Sequence, residues 1–314
     1  MDSMISTLRL PCRAPYDWAA TLGFLARRAI DGVERVEDGV YRRAIRWEAL
    51  TGTVEIAHAE AGGALEATLR LIPSVAEGSV AGRLRRMFDL DADLRTIAAH
   101  LARDPAMAPL VAARPWLRVP GGWDAFEVAA RSVIGQQVTV ARAQRLNSIL
   151  VDRCGTELPG HAGRGLRRTF PTARQVLDAD LSGMGMPGAR VATLKAIAEA
   201  ALADPRLFER GDSVETTVVR LRGIRGIGDW TAHYIAMRAC REPDAFPAGD
   251  VGLLRGAADA TGRRPLPAEL LARAEVWRPW RAYAAHHLWA LDRAGESSIR
   301  EQEAECPALR RVSQ

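Results

Sequence analysis

Hydrophobic and polar positions change rhythm once along the chain. In the first part apolar residues recur at period two. "GTVEIAHAE" (52–60) and "ALEATLRLIP" (64–73) alternate, and Gly62-Gly63 lie between them, which predicts a β-hairpin. "TLRLPCR" and "YRRAIRW" are weaker strand candidates, while "DWAATLGFLARRAIDG" has helical spacing with Asp17 as its N-cap. After "RMFDLDADL" the spacing becomes helical almost throughout. Asp124 caps "AFEVAARSVIG", and Thr139 caps "VARAQRLNSILVDRC", which stops at Gly155. "FPTARQVLDAD", "ARVATLKAIAEAALAD", "SVETTVVRLRGI", "LPAELLARAEVW" and "WRAYAAHHLWALDRA" read as further helices. The expected fold class is therefore α+β. An antiparallel sheet domain with one or two helices occupies 1–92, an all-helical part occupies 93–300, and 301–314 is a polar tail.

Composition narrows the class without naming it. Hydrophobic content of 48% with 26% charged residues is that of an ordinary water-soluble globular chain. No apolar run is long enough to span a bilayer, and the opening "MDSMISTLRLPCRAPYDW" lacks the basic-then-apolar pattern of a secretory signal. Cys12, Cys154, Cys240 and Cys306 stand singly, which argues against a zinc site, an iron–sulfur cluster or a disulfide framework. A reducing cytoplasmic setting and no membrane partner are expected. The net charge of +5 permits a polyanion partner without requiring one. Lys195 is the only lysine, which limits amine chemistry to one side chain. His58, His100, His161, His233, His286 and His287 have no metal-ligand spacing.

One stretch departs from ordinary helical sequence. "LRGIRGIGDWTAHY" (221–234) places Gly223, Gly226 and Gly228 within six residues and runs straight into a helix. Glycine inside a helix costs roughly 0.5–1 kcal/mol relative to alanine, so the cluster marks a sharp turn or a close approach of backbone to something else. A helix starting there offers unpaired N–H groups and a partial positive charge, which suit a phosphate. Taken alone, a GxG turn is more often an ordinary corner between two helices.

The stretch resembles the helix-hairpin-helix of the DNA glycosylase superfamily, whose usual form is L-x-x-(apolar)-P-G-(apolar)-G-x-x-T-A. Leu221, Ile224, Gly226, Ile227, Gly228, Thr231 and Ala232 match in order, and Arg225 stands where proline is usual. Arginine cannot preset the turn, but it can add a phosphate contact. "PYDWAATLGFLARRAIDGVE", "RMFDL", "RVPGGWDAFEVAARSVIGQQVTVARA", "GIGDWTAHYIAMRA" and "WRPWRAYAAHHLW" extend the resemblance, in order, from about Leu8 to Trp289. Together they look like 3-methyladenine DNA glycosylase II of the AlkA type.

That resemblance implies a two-lobed helical core, with lobes at about 123–242 and at 93–122 plus 243–300. It also implies a catalytic aspartate a short way past the hairpin, and Asp250 in "AFPAGDVGLLRG" lies 22 residues beyond Gly228. By itself Asp250 reads as an N-cap. A base pocket of Trp230, Tyr234, Trp289 and Phe24 is implied, although aromatics at helical spacing are by themselves core. An N-alkylated purine is cationic, and aromatic faces attract cations by about 0.5–2 kcal/mol. DNA contacts are implied for Gly226, Gly228, Thr231 and Arg225 at the hairpin, and for Gln136 and Gln137 in "IGQQVTV". Gln137 takes the place of a wedge that fills the gap left by a flipped nucleotide; a polar helix junction is the plainer reading. Val251 departs from the aromatic residue expected after the aspartate. The family also holds a sodium or potassium ion on hairpin carbonyls, here those of Arg222, Ile224 and Ile227; no other cofactor is implied.

Three function classes compete: a monofunctional glycosylase, a bifunctional or cluster-bearing glycosylase, and a damaged-DNA binder without catalysis. Bifunctional relatives carry a lysine where Trp230 stands, and cluster-bearing ones carry four cysteines after the helical core. A pure binder would leave Asp250 and the pocket aromatics without a purpose. The expectation is a monofunctional, monomeric enzyme acting on double-stranded DNA that carries alkylated bases.

Overall fold

Alternation at period two builds a five-stranded antiparallel sheet, and helical periodicity builds what packs beside it. A computed structural model describes residues 4–13, 15–48, 50–59, 62–71, 77–159 and 164–292. Cys306, His161 and the tail 301–314 lie outside them. The strands are β1 (Met4–Pro11), β2 (Glu34–Glu37), β3 (Val40–Trp47), β4 (Leu50–His58) and β5 (Ala64–Leu71), in the order β1-β5-β4-β3-β2. The expected hairpin is β4–β5. Gly62 and Gly63 both take left-handed φ, of 69° and 66°, which glycine accepts at no steric cost. Helix α1 (Trp18–Ala26) follows β1, capped by Asp17 as expected, and α2 (Glu77–Met87) follows β5. Val54, Ile56, Leu65 and Ala67 of the sheet, with Val80 and Leu84 of α2 and Trp123, form one buried core.

The second core is built mainly from helices, with loop residues such as Val119, Phe170 and Phe246, and Ile30 and Val33 enter it from the segment between α1 and β2. Its helices are α3 (Leu94–Leu101), α4 (Ala108–Ala113), α5 (Ala125–Ile134), α6 (Val140–Cys154), α7 (Ala173–Asp178), α8 (Gly188–Ala203), α9 (Val214–Arg222), α10 (Asp229–Arg238), α11 (Val251–Gly256) and α12 (Pro267–Arg273). A further helix, α13, runs over 281–292. Asp124 and Thr139 cap α5 and α6 as their sequences require. The segment read as one helix, "LPAELLARAEVW", is two: α12 tightens at Ala274–Trp277 into a 3-10 turn that seats the fully buried Trp277.

Sheet and helices are joined by buried charge. Arg43 of β3 donates to Glu127 of α5 at 2.7 Å, and Arg131 of α5 bonds Glu34 of β2 at 2.8 Å and Glu127 at 2.9 Å. Tyr41 donates to Glu34 at 2.7 Å, so each carboxylate has several donors. Burial would raise the carboxyl of Glu34, but Arg131 and Arg43 outweigh it and hold the group below its ordinary value. No helix among the described residues is long and apolar enough to cross a membrane.

Candidate active site

The turn between α9 and α10 is anchored by two buried side chains, Ile224 and Ile227, with exposed residues around them. Only one of its three glycines is required by the backbone. Gly226 has φ +85°, and a Cβ there would lie 1.9 Å from Oγ1 of Thr193 on α8. Gly223 is helical at φ −62°, and Gly228 is extended at φ −85°, with open space where a side chain would point. Gly228 and Arg225 are exposed where α10 begins, so the first N–H groups of that helix face solvent.

Gln136 and Gln137 divide between two tasks. The Gln136 amide donates to the Gly226 carbonyl at 3.3 Å and to Thr231 Oγ1 at 2.9 Å, tying the α5–α6 junction to the hairpin. Thr231 is buried, and its hydroxyl is engaged by that bond. Gln137 is exposed and holds φ +53°, a left-handed conformation uncommon outside glycine.

Asp250 sits at the end of a loop that runs from α10 to α11. The loop is pinned twice. Nδ1 of His233 accepts from Phe246 N at 3.2 Å, and Arg281 donates to both carboxylate oxygens of Asp244, at 2.8 and 3.0 Å. Burial pulls the His233 imidazole below its ordinary pKa against the pull of Asp229, and the acceptor role of Nδ1 requires the uncharged ring. Asp250 caps α11, its Oδ1 accepting from Leu253 N at 3.0 Å. The same carboxylate also takes two indole N–H donors: Trp289 Nε1 on Oδ1 and Trp230 Nε1 on Oδ2, each at 2.8 Å. The N-cap and the aspartate that the resemblance implies are thus one residue. Gly252 leaves room for this arrangement, because a Cβ there would lie 3.0 Å from Trp289 and 3.1 Å from Asp250.

The four expected pocket aromatics come together. Tyr234, one turn after Trp230 on α10, stacks on it with centroids 5.4 Å apart and planes at 21°. Trp289 of α13 meets Tyr234 edge-on at 6.4 Å. Phe24 arrives from α1, and His286, one turn before Trp289, lies 6.2 Å from Phe24 and 5.3 Å from Trp289. His287 turns away toward Leu110 and Arg114. Val251 is exposed beside Asp250 and adds no ring. Two cavities, of about 410 and 250 Å3, lie along the sheet–helix seam; of the residues around the rings, Arg238 alone lines either.

Arg238 stands at the focus of these rings, and sequence reading passed over it. Its guanidinium carbon is 4.4 Å from the Phe24 centroid, 5.1 Å from Tyr234 and 5.7 Å from Trp289. Arg28 lies 4.1 Å from the Phe24 centroid. Burial pulls Arg238 down to about 10, which leaves it charged at neutral pH. Burial pushes the Tyr234 hydroxyl up, but Arg238 and Arg28 prevail and hold it below its ordinary value. The available signal was position: Arg238 is one helical turn beyond Tyr234, on the same face. The lone Lys195 lies on α8, its ammonium bound to the Leu177 carbonyl at 3.1 Å. Among the described residues no cluster of three His, Cys, Asp or Glu could hold a metal.

Known proteins share both the sequence pattern and the fold. The family described as "AlkA N-terminal domain" matches residues 7–124, and "HhH-GPD superfamily base excision DNA repair protein" matches residues 130–282. A Mycobacterium tuberculosis protein named "Probable bifunctional transcriptional activator/DNA repair enzyme AlkA" is 38% identical over 292 residues, 90% of this chain and 56% of that one. The chain thus spans about half the length of that relative. Escherichia coli "DNA-3-methyladenine glycosylase 2" is 35% identical over 283 residues, 88% of this chain and 94% of the relative. A solved 3-methyladenine DNA-glycosylase from Archaeoglobus fulgidus shares the fold, with a TM-score of 0.79 at 22% identity, over 91% of this chain and 98% of its own. So does MBOgg1, solved in complex with a low-affinity DNA ligand, with a TM-score of 0.73 at 16% identity, over 94% and 100%. Matches over both parts of the chain, and a relative covered almost end to end, place it: the chain belongs to the AlkA family of the HhH-GPD superfamily of base-excision DNA repair proteins.

Proposed function

We propose that the chain is a monofunctional DNA glycosylase that flips alkylated bases of the 3-methyladenine and 7-methylguanine class out of double-stranded DNA and excises them by hydrolysis, starting base excision repair. The observation that carries this reading is Asp250, its carboxylate held between the indoles of Trp230 and Trp289. Breaking an N-glycosidic bond builds positive charge on the sugar, and a fixed carboxylate stabilises it. The same group can orient water or take its proton as the oxygen adds to the sugar carbon. The exposed start of α10 at Gly228, with Arg225 beside it, is where a DNA phosphate would be held. Gln137, projecting from a left-handed junction, is the side chain suited to enter the gap left by the flipped nucleotide. A sodium or potassium ion on the carbonyls of Arg222, Ile224 and Ile227 would add positive charge beside that phosphate. Carbonyl oxygens suit such an ion, and the Ile224 oxygen keeps a lone pair beyond the one taken by Ile227 N at 3.1 Å. A lyase step needs an amine at the sugar. The one lysine is occupied on α8, and an indole stands at position 230.

The test is Asp250→Asn. Asparagine caps a helix about as well as aspartate, so circular dichroism and binding to an abasic-analogue duplex are expected to persist. Single-turnover release of 3-methyladenine is expected to fall about 10²–10³-fold. A folded variant that excises at the wild-type rate overturns the assignment and leaves Asp250 an N-cap alone.

A further inference from the structure

Arg238 is a charged group for which the proposed reaction has so far given no use. It is 4% exposed, yet no carboxylate among the described residues pairs with it. It donates to the Pro120 carbonyl at 2.6 Å and to His286 Nε2 at 2.9 Å and also bonds the Tyr234 hydroxyl, while its Nε has no hydrogen-bond partner. Guanidinium can only donate, so His286 Nε2 accepts, and the ring carries its proton on Nδ1 and stays neutral. A guanidinium without a carboxylate partner, with a spare donor at Nε, is thus fixed among Phe24, Tyr234 and Trp289. A second guanidinium, that of Arg28, lies against Phe24. The places where these rings would attract a cationic base already hold cations.

We propose that Arg238, oriented by His286 and assisted by Arg28, stabilises the departing base when that base is neutral, and so sets the pocket's preference between neutral and cationic lesions. This rests on the glycosylase reading above. When the N-glycosidic bond breaks, its electron pair leaves with the base, and a water oxygen bonds the sugar carbon and gives up a proton. A cationic alkylpurine leaves as a neutral molecule. A neutral base such as hypoxanthine leaves as an anion, and a fixed cation at its edge lowers that cost. The same charge repels a base that arrives already positive.

The experiment is single-turnover release of hypoxanthine and of 7-methylguanine from duplex DNA, read as the ratio of the two rates. Arg238→Met is expected to lower the hypoxanthine to 7-methylguanine ratio about 100-fold, the size of effect seen when one such electrostatic donor is removed. Arg238→Lys is expected to restore most of it. Arg28→Met, at a half-buried position, is expected to move the ratio the same way by about tenfold, and it decides the matter if Arg238→Met does not fold. Equal slowing on both bases, leaving the ratio within threefold of wild type, overturns the proposal and makes Arg238 structural. A wild-type protein that releases 7-methylguanine but not hypoxanthine also overturns it while leaving the glycosylase reading intact. A wild-type protein that releases neither overturns both.

Discussion

Single glycines in the hairpin answer to different masters, and the difference is measurable. At Gly226 the left-handed backbone and the 1.9 Å approach to Thr193 leave no place for a methyl group. Gly226→Ala is expected to cost roughly 1–3 kcal/mol through backbone strain, with a matching fall in the urea midpoint. At Gly228 a side chain would point into open space from an extended backbone. Gly228→Val meets no clash and is expected to cost only about 0.5–1 kcal/mol, the difference between a good and a poor N-cap. Its affinity for an abasic-analogue duplex should fall whatever the flanking sequence, since phosphate contacts position rather than specify. A folded Gly228→Val protein that binds like wild type would move the phosphate contact to another part of the surface.

Between elements, the seam joining β2 and β3 to α5 carries the clearest expectation. Truncating Glu127 leaves Arg43 and Arg131 short of a carboxylate in a buried setting, and breaking such a pair typically costs about 3–5 kcal/mol. Glu127→Ala should lose that much in urea unfolding. Arg43→Met combined with Glu127→Leu should lose less, because neither side is then left charged and alone; a double variant as unstable as the sum of the singles would count against the network. The same seam explains what the sequence concealed. The β4–β5 hairpin, α5 and α6 were legible because alternation, caps and stop signals are local. Strand β2, "ERVE", was not, because a buried Glu34 reads as a surface residue until its arginines arrive from β3 and α5. That Asp250, Trp230, Tyr234, Trp289 and Phe24 gather in one place was foreseeable only through the family resemblance. Arg238 was invisible for the same reason as Glu34: a charge in a sequence looks solvated, and only the fold shows that it is not.

For the molecule as a whole, acid should be felt first through histidine. Burial, reinforced by Arg114, pulls His287 down to about 4, against an ordinary value of 6.5. Between those values the unfolded chain takes up a proton that the folded chain refuses, so stability is lost as pH falls from about 6.5 toward 4, by up to about 3 kcal/mol. His233 is shifted in the same direction. Urea midpoints at pH 7 and 5 should show this slope, and His287→Gln should flatten it; an unchanged slope would assign the acid sensitivity elsewhere. Charge also has a geography in this protein. Of its 43 basic residues 42 are arginine, and carboxylates at structural joints have been claimed by them: Glu34, Glu127, Asp89, Asp244 and Asp292 each face a guanidinium. Among the described residues the donors to the Asp250 carboxylate are uncharged: two indoles and one backbone amide. Dipoles fix a carboxylate in place without cancelling its charge. In a chain so rich in arginine, Asp250 is held like an unshielded electrode, its field free to act on whatever is brought in front of it.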